Sequence, residues 1–157
     1  MDLRRQLEHF RSEHDEFLCF LKEWENALTL AGRDVPETRC QGLSKLRDME
    51  KKLVEIREHC RKEEHEVDSP FQIYLDDHAL EELRREHDLL EQLTEGYRTE
   101  LQVVTMPPPT TDLVGLGQRL LEQLRHHIAF EEGLLKQIED GTAAEERVFL
   151  RYTQPAE

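Results

Sequence analysis

Apolar residues recur along this chain in alternating steps of three and four, and that spacing decides the fold class. The first series runs Leu3, Leu7, Phe10, His14, Phe17, Leu21, Trp24 and Leu28. A second reads Leu46, Met49, Leu53, Ile56, His59 and Glu63, and a third Leu80, Leu83, His87, Leu90, Tyr97 and Leu101. The fourth is Leu113, Leu116, Leu120, Leu124, His127, Glu131, Leu134 and Ile138. At 3.6 residues per turn, such steps place all members of a series on one helix face. No stretch alternates with period two, so no sheet is expected. Between the series members, Leu, Glu, Arg, Lys and Gln dominate, and all are good helix formers.

The breaks fall between the series. They are Gly32 to Pro36, Val67 to Pro70, Thr105-Met106 with Pro107-Pro108-Pro109, and Gly141. Proline cannot continue a helix interior, so four helices are predicted, each of about 27 residues and about 40 Å. Short connections make consecutive helices antiparallel, giving an all-α, up-down-up-down four-helix bundle over residues 1–142. Residues 143–157, with Val148-Phe149-Leu150 and Tyr152, read as a C-terminal tail or a short helix. At 157 residues the chain is one domain's worth of protein.

Charge narrows the partners. Lys plus Arg is 21 and Asp plus Glu is 35, a net charge of 21 − 35 = −14. So acidic a surface repels nucleic acid and anionic membranes and favours cations. The longest apolar run, Phe17-Leu18-Cys19-Phe20-Leu21, is far short of the roughly 20 residues that span a bilayer. The first residues lack the apolar stretch of a secretory signal. Cys19, Cys40 and Cys60 are odd in number and form no paired motif, which suits a reduced, cytoplasmic setting.

Each helix face is interrupted by a histidine where a leucine would be expected: His14, His59, His87 and His127. Two are followed one turn later by a carboxylate, as His59-x-x-x-Glu63 and His127-x-x-x-Glu131. The pattern repeats within the chain. Glu13-His14-Asp15 returns as Glu86-His87-Asp88, and His59-x-x-x-Glu63-Glu64 as His127-x-x-x-Glu131-Glu132. Glutamate is abundant, so His9/Glu13, His78/Glu82 and His87/Glu91 also fit the spacing. His9 and His78 lie off the apolar series and read as solvated, and His65 and His126 as surface or flanking groups.

Six polar groups in one interior layer would leave several unpaired, at roughly 1–3 kcal/mol each, unless metal satisfies them. The cysteines do not cluster as zinc thiolates would, and calcium and magnesium prefer oxygen alone. Imidazole with carboxylate suits iron, with manganese or a mixed pair as alternatives. None of the eight histidines has Glu or Asp three residues before it, which argues against a ferritin-like site.

This order of residues, a histidine, HxxxE, a histidine, then HxxxE on four amphipathic helices, resembles the hemerythrin-like (HHE cation-binding) domain. The resemblance covers about residues 2–140. It implies a non-haem pair of iron ions held by His14, His59, Glu63, His87, His127 and Glu131. Glu63 and Glu131 would bridge the ions beside an oxo or hydroxo group, with two imidazoles on each. Oxygen-carrying members have a second histidine one turn after the first on the third helix; here that position is Glu91, an additional candidate ligand. The chain is therefore more similar to the hemerythrin-like domains tied to nitric oxide stress and iron–sulfur repair.

The expected function is binding or sensing of a small ligand (O₂, NO or H₂O₂) at this centre. The alternatives are a di-iron oxidase, peroxidase or NO-stress repair enzyme, and a metal-free helical interaction module.

Overall fold

The computed structural model describes residues 2–104 and 111–153, with side chains described for 2–104 and 112–142. The elements are α1 (Leu3–Ala31), α2 (Pro36–Asp48), α3 (Glu50–His65), α4 (Pro70–Tyr74), α5 (Asp77–Val103) and α6 (Thr111–Thr153). All described secondary structure is helical, and the architecture is an all-α bundle. Four rods build it: α1, α2 with α3, α5 and α6. Around the bundle, α1 packs on α2 and α6, while α5 packs on α6 and α3.

The ends of the helices follow from the sequence. Pro36 and Pro70 open α2 and α4, where their missing N–H costs nothing. The Asp76 carboxylate caps α5 by accepting from the Ala79 N–H at 2.8 Å. The second rod is interrupted at Met49, whose φ of −83° and ψ of −10° bend the chain without reversing it. The short α4 lies in the connection from α3 to α5, seating the fully buried Phe71 against the bundle end.

The break expected at Gly141 does not occur. The last helix runs on to Thr153, so the anticipated boundary at residue 142 is not a helix end. Gly141 keeps ordinary helical backbone, and the Thr142 hydroxyl donates back to the Ile138 and Glu139 carbonyls. The strong helix formers Ala143 to Arg147 follow, and one glycine costs only about 1 kcal/mol. The prolines Pro107, Pro108 and Pro109, and residues 154–157, lie outside the described residues.

The buried side chains form two apolar clusters. The larger includes Phe17, Leu21, Trp24, Leu28, Leu43, Leu46, Tyr97 and Leu120. The smaller, at the opposite end, holds Leu7, Phe71, Leu83, Leu134, Leu135 and Ile138. Trp24 and Tyr97 are fully buried in the larger cluster, where the indole N–H donates to the phenol oxygen at 3.2 Å. Between the two clusters, each rod carries its histidine.

Glycine sets how closely α2 approaches α1. A Cβ on Gly42 would stand 2.3 Å from the Ala31 backbone nitrogen, a contact that only a backbone shift relieves. Gly133 on α6 has open space at that position. Gly42→Ala is expected to destabilise the fold by about 1–3 kcal/mol. Gly133→Ala is expected to stabilise it by about 0.5–1 kcal/mol. Urea unfolding of the two variants checks this, and equal stabilities would contradict the packing described.

Candidate metal centre

Each of the four rods brings one histidine to the layer between the apolar clusters. His14, His59, His87 and His127 are 1%, 7%, 7% and 2% exposed, and Glu63 and Glu131 are 0% and 1% exposed. Burial this complete is rare for carboxylates and demands compensation. The other four histidines stay out. The side chains of His9, His65, His78 and His126 are 64%, 76%, 80% and 67% exposed, as their places off the apolar series imply.

All four buried imidazoles turn Nε2 inward. His14 Nε2 lies 2.8 Å from Glu131 Oε2, and His59 Nε2 lies 2.7 Å from Glu63 Oε1. His87 Nε2 stands between the carboxylates, 3.1 Å from Glu131 Oε1 and 3.2 Å from Glu63 Oε2. His127 Nε2 contacts Glu131 Oε1. The rings pair as His14 with His59 and His87 with His127, at centroid separations of 5.4 and 4.7 Å.

The outward nitrogens meet a second set of glutamates, and this set follows the internal repeat. His14 Nδ1 hydrogen-bonds Glu132 at 2.7 Å, and the repeat-related His87 Nδ1 lies 3.1 Å from Glu64. His59 Nδ1 lies 2.7 Å from Glu13, and the repeat-related His127 Nδ1 lies 3.7 Å from Glu86. At His14 and His59 the carboxylate on Nδ1 fixes the ring and leaves Nε2 free to bind, whereas His87 Nδ1 and His127 Nδ1 stand near their glutamates without a hydrogen bond.

The inward contacts are short, yet several are not aimed as hydrogen bonds. His14 Nε2, His59 Nε2 and both oxygens of Glu63 are buried without a hydrogen-bond partner, although the nearest N···O distances are 2.7–3.2 Å. Donors about 2.1 Å from one ion and 90° apart stand about 3.0 Å from each other. These atoms therefore converge on shared points more than on one another, and the donor set fits metal.

Two groups of atoms can each hold an ion: His14, His59, Glu63 and Glu131, and His87, His127, Glu63 and Cys60. Glu63 belongs to both, and Glu131 reaches the second through His87 and His127. Glu91 joins neither among the described residues. Its side chain, about half exposed, turns to Arg61 at 3.3 Å. On α5 it lies one turn beyond His87 but on the rim of the bundle. Cys60 is the addition that the sequence reading missed as a ligand candidate. The signal was present, because Ile56, His59, Cys60 and Glu63 follow steps of three, one and three along one buried face.

Without a metal, protons balance the layer. Burial and then the neighbouring Glu131 push Glu63 well above the usual carboxylate range, partly offset by His87. Burial alone would raise Glu131 too, but contact with His127, His14 and His87 outweighs it and holds Glu131 well below that range. Burial likewise opposes charge on His87, yet the closeness of the Glu131 and Glu63 carboxylates pushes it up to about 10. His14 is raised in the same way by Glu131 and Glu132.

A histidine raised from 6.5 to about 10 stabilises the fold fully below pH 6.5 and loses that contribution as pH rises through 10. The metal-free protein should therefore melt at progressively lower temperature between pH 6.5 and 10. Metal displaces these protons, so metal uptake should strengthen over the same window. Calorimetric scans of the metal-free protein across these pH values check the first expectation, and a flat melting temperature would contradict it.

A family model described as the hemerythrin HHE cation-binding domain matches residues 5–138. Searches of curated proteins and of solved structures gave no match. The matched span includes part or all of each of the four rods and every histidine and glutamate of the buried layer. The chain belongs to the hemerythrin HHE cation-binding domain family.

Proposed function

We propose that this protein is a non-haem di-iron protein that binds or senses a small ligand, O₂, NO or peroxide, with manganese or a mixed pair as the alternative loading. The observation that carries the reading is the inward convergence of four buried Nε2 atoms on two buried carboxylates, with Glu63 left unsatisfied by hydrogen bonds. His14 and His59 would hold one ion, His87 and His127 the other, and Glu63 and Glu131 would span both. Bound there, an iron pair would supply redox-active metal for the chemistry of a small ligand.

The chain's own residues do the rest. Glu13 and Glu132 orient His59 and His14 through their outward nitrogens, so these two rings are set before metal arrives, while Glu64 lies 3.1 Å from His87 Nδ1 without a hydrogen bond. Phe10 and Phe17 stand edge-on to His59, at centroid distances of 5.5 and 5.1 Å, and place apolar surface against that ring. Beside His87, a cavity of about 50 Å³ is lined by Leu53, Ile56, Cys60, Leu90, Thr94 and Leu124, among others. At about 10–15 Å³ per water, it has room for a diatomic gas or peroxide. Arg61 and Glu91, paired across α3 and α5, also line it. That rim position gives Glu91 a place on the ligand's path in preference to the metal.

His59→Ala and Glu131→Ala are each expected to lower iron content severalfold while far-ultraviolet circular dichroism keeps its helical signal. Unchanged iron stoichiometry in both variants would overturn the assignment. A spectral change with O₂ or NO and no continuing consumption supports binding or sensing. Sustained consumption of O₂, NO or H₂O₂ supports the oxidase, peroxidase or repair-enzyme reading. A colourless, metal-free protein that stays folded supports a helical interaction module.

A further inference from the structure

We infer that Cys60 is a metal ligand, its thiolate completing the ion position formed by His87, His127 and Glu63; the inference rests on the di-metal reading above. Cys60 is 8% exposed and its Sγ lies 4.0 Å from His127 Nε2. Sulfur, both imidazoles and a Glu63 oxygen all fall within 4.8 Å of one another. Sulfur and nitrogen bound to one ion at about 2.3 and 2.1 Å stand about 3.6 Å apart at a tetrahedral angle. The observed separation is within about half an ångström of that.

The other observation is independent of the cysteine. Glu63, which faces the same point, is fully buried and neither of its oxygens has a hydrogen-bond partner. The Cys60 thiol packs against the larger apolar cluster on one side and, on the other, faces two imidazoles and the Glu63 carboxylate, whose oxygens have no hydrogen-bond partner. As the sulfur–metal bond forms, the thiol S–H breaks and its proton passes to solvent; no electrons are transferred.

The internal repeat shows what is special about this position. His59-Cys60 corresponds to His127-Ile128, and Ile128 is 4% exposed in the apolar core. The two halves therefore supply matching imidazoles and carboxylates but only one sulfur. The two ion positions are unequal, and the softer one borders the cavity that Cys60 and His87 line.

Anaerobic loading of the metal-free full chain with cobalt(II) tests this, with bound cobalt counted alongside the absorption spectrum. The wild type is expected to bind two cobalt ions per chain and to show intense near-ultraviolet sulfur-to-cobalt charge transfer. Cys60→Ser and Cys60→Ala should lose that band, while Cys19→Ser and Cys40→Ser keep it. Two bound cobalt ions without the band, or a band that survives in folded Cys60→Ala, would overturn the role of Cys60 alone. Failure of the wild type to bind cobalt or iron at all would overturn the metal centre, and the role of Cys60 with it.

Discussion

The structure depends on a charged layer buried between two apolar clusters. Six ionisable side chains, all nine-tenths buried or more, occupy the middle of the bundle, where a leucine layer would have packed at far lower electrostatic cost. A buried ion pair repays its desolvation only when every donor and acceptor is satisfied. Here Glu63 is left without hydrogen bonds and Glu131 is crowded by three imidazoles. Such an arrangement weakens the metal-free fold and stores binding capacity for an ion. The apolar clusters on either side make that affordable. Trp24, Tyr97, Leu28 and Leu120 lock one end, and Phe71, Leu83 and Leu135 the other, so the layer is held rigid from both sides.

The internal repeat gives the centre its near-symmetry. Two helix pairs of similar sequence each contribute one imidazole with its flanking glutamate and one HxxxE pair with another. Repeat-related glutamates therefore face repeat-related ring nitrogens. The likeness fails at Cys60 against Ile128 and at the distances to the outer glutamates, 2.7 Å at His59 and 3.7 Å at His127. The cavity beside His87 thus borders one particular face of the layer, the one with sulfur and the Arg61–Glu91 pair.

Much of this was legible from spacing. The three-and-four series found all four rods, and their histidines do lie at one depth, because heptad steps report burial directly. The same series distinguished His14 from His9 and His87 from His78, although each has a glutamate at helical spacing. Glu91 was harder. Its place one turn after His87 makes it a ligand candidate in sequence, but α5 rotates it toward the rim, where Arg61 of α3 offers a closer partner. Only tertiary packing reveals that choice. Gly141 misled because a helix-ending glycine and a tolerated one differ in backbone angle, which composition does not encode. Met49, on the apolar face of the second rod, gave no sign of the bend there.

The central claim is that two ions sit within this layer, one against each histidine pair. Crystals of the iron-loaded protein, measured on both sides of the iron absorption edge, test it most directly. The account predicts two anomalous peaks per chain, one beside His14 and His59 and one beside His87 and His127, with Glu63 and Glu131 between them. Peaks elsewhere on the acidic surface, with none in the layer, would contradict it.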